Sequence, residues 1–370
     1  SAGPSRVLDL KAESIGVNSV TLKWAVNDSA ADTYTYRIEV VNGTSDTPVK
    51  NVTSKETKAE ITGLIPGTLY NFTVFAVAAD NETEGEGSPI DLYTRPSRVL
   101  DLKAESIGVN SVTLKWAVND SAADTYTYRI EVVNGTSDTP VKNMTSNRTK
   151  AEVTGLIPGT LYNFTVFAVA ADNETEGEGV SRNLYARPSP VLDPKAESIG
   201  VTSVTLKWAV NDSAADTYTY RIEVVNGTSD TPVKNVTSNE TKAEITGLVP
   251  GTLYNFTVFA VAADHETEGE GVSIFLYTRP SRVLDPKAES IGVNSVTLKW
   301  VVNDSAADTY MYRIEVVNGT SDIPVKNVTS NETKAEITGL IPGTPYNFTV
   351  FAVATDHETE GERSPIDLYT

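Results

Sequence analysis

Apolar and polar residues alternate most sharply from Tyr70 onward, where Tyr70, Phe72, Val74 and Ala76 interleave with Asn71 and Thr73. A period of two predicts a strand with one buried face. Pro66 and Gly67 stand just before it and supply a turn. Tyr70 is then placed to bury its ring while its hydroxyl reaches back to the backbone near the bend, a tyrosine corner. The stretch from Gly63 to Val77 returns as Gly155 to Val169, Gly247 to Val261 and Gly339 to Val353, each copy 92 residues after the last.

The rest of one repeat falls into place around that strand. Val7 to Ser14 predicts an edge strand, because the third and fourth copies carry Pro194 and Pro286 where the first has Leu10, and proline is tolerated at an edge or a bulge. Ser19 to Ala25 directs Val20, Leu22 and Trp24 to one face. Tyr34 to Val41 does the same with Tyr34, Tyr36, Ile38 and Val40. Asn42-Gly43 predicts a two-residue hairpin turn into Pro48 to Thr53. Lys58 to Thr62 leads into the corner, Asp80 to Gly87 forms an acidic loop, and Ile90 to Thr94 is the last strand. Seven such strands predict a two-sheet sandwich. Trp24, Trp116, Trp208 and Trp300 are the only tryptophans. Each is expected at the centre of its own core, beside the corner tyrosines Tyr70, Tyr162, Tyr254 and Tyr346.

A chain of 370 residues cut at this period gives four domains, at 4–95, 96–187, 188–279 and 280–370. The seams fall at Pro4-Ser5-Arg6, Pro96-Ser97-Arg98, Pro188-Ser189-Pro190 and Pro280-Ser281-Arg282. Linkers of a residue or two around a proline predict a stiff, extended rod.

Composition narrows the function. A formal charge of -19, with no adjacent basic residues, disfavours nucleic acid and anionic membrane as partners. No apolar run approaches the length of a membrane span, so no direct membrane insertion by this stretch is expected. There is no cysteine, so each domain depends on packing alone. Ser1-Ala2-Gly3 breaks the repeat and lacks the layout of a signal peptide, which suggests a piece of a longer extracellular region.

The sequon Asn-x-Ser/Thr is dense. It occurs at Asn27, Asn42, Asn51, Asn71 and Asn81 in the first repeat and at Asn119, Asn134, Asn143, Asn147, Asn163 and Asn173 in the second. The third carries Asn211, Asn226, Asn235, Asn239 and Asn255, and the fourth Asn303, Asn318, Asn327, Asn331 and Asn347. Asn, Ser and Thr also favour turns, which explains any single match. Five or so per domain point to N-linked glycans and the secretory route of a eukaryotic cell.

Reactive constellations are scarce. His265 and His357 sit at one loop position a domain apart and read as loop decoration rather than as a metal pair. Asp80, Glu82, Glu84 and Glu86 crowd one loop and raise the question of calcium, against a solvated acidic loop that lacks the spacing of a calcium-binding turn. No cofactor and no catalytic residue is expected. Phe75 and Val77 are placed outward by the alternation, where they form either a contact site or an apolar pair covered by neighbours.

Trp24 on the second strand, Leu64-x-Pro66-Gly67-Thr68-x-Tyr70 at the corner and Ala76 beyond it resemble the fibronectin type III pattern, which covers the chain four times. More narrowly, Val7-Leu8-Asp9-Leu10-Lys11-Ala12, Val20-Thr21-Leu22-Lys23-Trp24, Asn27-Asp28-Ser29-Ala30-Ala31, Tyr34-Thr35-Tyr36 and Tyr93-Thr94-Arg95-Pro96-Ser97 resemble ectodomains of receptor-type protein tyrosine phosphatases built only from such repeats. The resemblance implies an all-β, immunoglobulin-like fold. It also implies a row of domains outside the cell, one membrane helix and one phosphatase domain inside. Phosphatase chemistry of that kind needs a thiolate, so this stretch is expected to be non-catalytic. Its expected partner is an extracellular protein ligand or a sister receptor. The alternative is an adhesion or matrix module that binds a protein directly by avidity.

Overall fold

The computed structural model describes residues 3–44, 48–135, 140–227, 232–321 and 324–370. Each repeat holds seven strands, labelled here on the first: β1 (Leu8–Ile15), β2 (Val20–Ala25), β3 (Thr35–Asn42), β4 (Pro48–Ser54), β5 (Lys58–Ile61), β6 (Leu69–Val77) and β7 (Ser88–Tyr93). Equivalent strands keep these labels in the later repeats. β1, β2 and β5 form a three-stranded sheet in the order β1-β2-β5, and the others a four-stranded sheet in the order β4-β3-β6-β7. All pairs are antiparallel. The same two sheets recur in all four repeats, giving an all-β fold of four sandwiches.

Inward residues of both sheets meet in one core per repeat. In the first, Val20, Leu22 and Trp24 face Tyr36, Ile38, Val40, Phe72 and Val74. Trp24 is 6% exposed and meets Tyr36 edge-on, with ring centroids 5.3 Å apart, the geometry that the aromatic quadrupole favours. Among the described residues there are four such clusters, each confined to its own repeat. The chain divides into two compact units, one ending at Ala186 and the other running from Arg187 to Thr370.

Local chemistry explains the corner. Tyr70 is buried, and its hydroxyl accepts the Ile65 N–H at 2.9 Å. Gly67 takes a φ of +61°, a conformation that costs glycine little. Thr94 is fully buried and ties the far side: its hydroxyl donates to the Ile65 carbonyl at 2.6 Å and accepts the Thr68 N–H at 3.0 Å. β1 is bulged between Leu8 and Lys11. There Asp9 adopts a φ of +57°, tolerated by a short polar side chain.

The turn after β3 differs from the expected two-residue hairpin. Val41 pairs with Pro48, so the connection runs from Asn42 to Thr47, and Ser45 to Thr47 lie outside the described residues. Gly43 is not among the positive-φ residues. Its missing side chain instead makes room for Leu69, whose Cγ would lie 2.7 Å from a Cβ there. The Asn42 Oδ1 accepts from the Thr44 N–H at 3.0 Å and the Thr44 hydroxyl at 2.8 Å. That is a side-chain turn in place of the mirror-image backbone turn.

Candidate functional surfaces

Two surfaces carry networks of polar contacts: the outer face of the four-stranded sheet and the joints between the first and second and between the third and fourth repeats. On the outer face, β3, β4 and β6 bring Arg37, Glu39, Asn51, Thr73 and Phe75 side by side. The Arg37 guanidinium lies 4.3 Å from the Phe75 ring centroid. It donates to Glu84 at 2.6 and 3.0 Å, and to the Glu39 carboxylate and the Asn51 Oδ1 at 3.1 Å each. Stacking and charge-assisted bonds fix a planar cation that water would otherwise surround. The Glu84 carboxyl is accordingly held below its usual range by its hydrogen bond from Arg37.

The expected outward apolar pair is therefore no open contact site in this repeat. Phe75 is capped by Arg37, and Val77 is buried. The cap recurs as Arg129 on Phe167 and Arg221 on Phe259. In the fourth repeat Arg363 stands where the others have Gly87, Gly179 and Gly271. It takes over the ring of Phe351 at 4.3 Å, and Arg313 turns to Glu360 and the His357 carbonyl instead.

The acidic loop spends its carboxylates separately. The Asp80 Oδ1 accepts from the N–H groups of Glu82 and Thr83 at 2.9 Å each, and its Oδ2 from the Thr83 hydroxyl at 2.6 Å. These bonds, led by that of the Thr83 side chain, bring its carboxyl down to about 2. Glu84 serves Arg37, and Glu86 pairs with Arg6 at 2.5 Å. Among the described residues no group of three or more potential ligands converges on a metal position. Asn81 has a φ of +60°, as do Asn173, His265 and His357 within a few degrees. The histidines thus occupy a left-handed turn position that suits Asn and His alike.

The sequons divide by exposure. Asn27, Asn119, Asn211 and Asn303 lie exposed in the loop after β2; Asn51, Asn143, Asn235 and Asn327 lie exposed on β4; and Asn81, Asn147, Asn173, Asn239 and Asn331 lie exposed in turns. Asn42, Asn134, Asn226 and Asn318 end β3 half-buried, and Thr136 and Thr228 of two of these sequons lie outside the described residues. Asn71, Asn163, Asn255 and Asn347 are half-buried within β6. Asn71 donates to Asp91 at 2.7 Å across the strand pair, Asn163 to Asn183 at 2.8 Å and Asn347 to Asp367 at 2.7 Å.

The joint leaves no local pattern in the sequence. Arg95 accepts the Gly67 N–H of its own repeat at 3.1 Å and donates its Nε to the Glu176 carbonyl of the next at 2.9 Å. The Asp120 Oδ2 accepts both the Ser97 N–H of the linker at 2.8 Å and the Tyr126 hydroxyl at 2.6 Å. Tyr126 lies directly over Gly67, where a Cβ would come within 2.0 Å of its hydroxyl. Burial first, then the bond to Asp120, raises the Tyr126 phenol above its ordinary 10.0. Gly251, Arg279, Ser281, Asp304 and Tyr310 repeat the arrangement between the third and fourth repeats. Tyr34 of the first repeat is only half-buried. Asp28 and Tyr34 recur as Asp120 and Tyr126 and as Asp304 and Tyr310, but the glycine that the later tyrosines cover lies in the preceding repeat.

The known relatives agree with this architecture. Residues 4–91, 95–182, 188–273 and 280–367 match the fibronectin type III domain. The chain is 63% identical over 99% of its length to receptor-type tyrosine-protein phosphatase eta of Gallus gallus, covering 25% of that protein. It is 32% identical over 96% to the Mus musculus protein of that name, covering 27% of it, and 24% identical over 95% to tenascin of Gallus gallus, covering 19%. It thus spans about a quarter of the length of the phosphatases it matches. With four matched domains filling nearly all of its length, the chain belongs to the fibronectin type III family.

Proposed function

We propose that the chain is a non-catalytic, extracellular segment of a cell-surface receptor of the tyrosine phosphatase type. It works as a glycosylated spacer that presents repeated surfaces to a protein ligand or a sister receptor, ahead of a single membrane span elsewhere in the receptor. The observation that carries this reading is the 63% identity, sustained over 99% of the chain, to a receptor-type tyrosine-protein phosphatase. The absence of cysteine is in keeping with it, since the thiolate of phosphatase chemistry then belongs to another part of the receptor. Mass spectrometry of the chain secreted from a eukaryotic cell tests it: sugar on the exposed sequons is expected, and a wholly unmodified chain overturns it.

A second reading is a module that binds a protein partner directly by avidity. The fourfold return of nearly the same outer face favours it, because repeated weak sites multiply apparent affinity where geometry permits. Comparing cell binding of one repeat with that of all four separates the two. A spacer shows no gain with copy number, and a multivalent binder shows a steep one.

A further inference from the structure

One position breaks the pattern of the outer face. On β7 the residue opposite the mid-strand sequon of β6 is Asp91, Asn183 and Asp367 in the first, second and fourth repeats, and it accepts the amide of Asn71, Asn163 or Asn347. In the third repeat, β6 (Leu253–Val261) and β7 (Val272–Tyr277) pair Asn255 with Phe275. Phe275 has no acceptor to offer, and it is 59% exposed. The neighbouring hydroxyl is lost to Asn255 as well. Thr73 and Thr165 donate to Asn71 and Asn163 at 3.1 Å each, Thr165 while also pairing with Ser181 at 2.8 Å; Thr257 pairs with Ser273 at 2.8 Å, and the Asn255 Oδ1 receives no bond from it.

The consequence is an amide with its Oδ1 buried and without a hydrogen-bond partner, an arrangement that folded proteins rarely leave unexplained. That amide stands beside an open aromatic ring on an edge strand. Exposed apolar edges are ordinarily blunted or covered. Asn255-Phe256-Thr257 is a sequon.

We propose that Asn255 carries an N-linked glycan whose first N-acetylglucosamine lies over the Phe275 ring. The bond formed joins the Asn255 Nδ2 to the anomeric carbon of the sugar; the bond broken is that carbon's link to the pyrophosphate of a lipid-linked oligosaccharide donor, and the lipid pyrophosphate leaves with the one proton the amide gives up. The apolar CH face of the sugar covers the ring, and its hydroxyls keep the strand edge in water. The inference rests on the secreted, glycosylated reading above. It goes further in assigning one sequon a packing partner that Asn71, Asn163 and Asn347 lack.

The test uses the full chain secreted from a eukaryotic cell, as wild type, Asn255→Gln, Phe275→Asp and the double variant. Phe275→Asp restores the residue of the first and fourth repeats, so a folded third repeat is expected. Site-resolved mass spectrometry gives occupancy, and amide hydrogen exchange gives protection along Val272–Tyr277. Asn255 is expected to be occupied. Its removal is expected to speed exchange about threefold to tenfold when Phe275 is present and to leave exchange unchanged when Asp stands there. Occupancy at exposed sequons such as Asn235 with none at Asn255 overturns this inference alone. So does full occupancy with no dependence on Phe275. Absence of sugar from every sequon overturns the parent reading instead.

Discussion

At the scale of single residues, hydrogen bonds and rings carry the argument. Tyr70 holds the Ile65 N–H in a partly buried place, so Tyr70→Phe leaves a donor unpaired and is expected to cost about 1–3 kcal/mol. Chemical denaturation of the first repeat's transition measures it. Asp80 provides a pH probe of the same kind. Its carboxyl lies at about 2 against an ordinary 3.8. A carboxyl lower in the folded chain than in the unfolded one stabilises above the ordinary aspartate range and loses that contribution as pH falls toward 2. The Glu82 and Thr83 amide resonances are therefore expected to hold steady above about pH 4 and to move only well below it. Thr83→Val is expected to bring the transition closer to the ordinary value. Both the corner and the loop were legible in the sequence, because each is closed by residues a few positions apart.

At the scale of elements, the joints decide how neighbouring strands and loops behave. Gly67 was legible as a turn glycine, and its φ of +61° agrees. Its second role, a floor for Tyr126, is not a local property. Gly67→Val is expected to force Tyr126, a member of the second repeat's core, off its seat and to strain the corner of the first repeat at a positive φ. Tyrosine fluorescence quenching by iodide, raised in the variant with near-unchanged far-ultraviolet dichroism, would report that displacement. The phenols of Tyr126 and Tyr310 are raised above 10.0 by burial and by their aspartate bonds. For such a group the neutral form is favoured on folding, so its stabilisation is complete below about pH 10 and is lost as pH rises beyond it. Alkaline titration followed by tyrosine absorbance is expected to show these phenols ionising only together with opening of the joint, and Asp120→Ala is expected to ease both.

At the scale of the whole molecule, four separate cores stand in place of a single shared interior. Trp24→Ala should cost the first repeat about 3–5 kcal/mol. In calorimetry it is expected to move only that repeat's share of the heat, while the transitions of the third and fourth repeats stay in place. The charge of -19 adds a further expectation: the chain passes through a heparin column even at low salt, since single-signed repulsion acts before any specific contact. The strands, their inward faces, the repeat period, the indole centres and the tyrosine corner were all determined by the sequence itself. A period of two and a turn motif are written within a few adjacent residues, and packing follows from them. Only tertiary structure decided which polar groups meet. It set Arg37 on Phe75, laid Tyr126 over Gly67 and left Asn255 facing Phe275, because those encounters depend on strand register and domain docking between residues far apart in the chain.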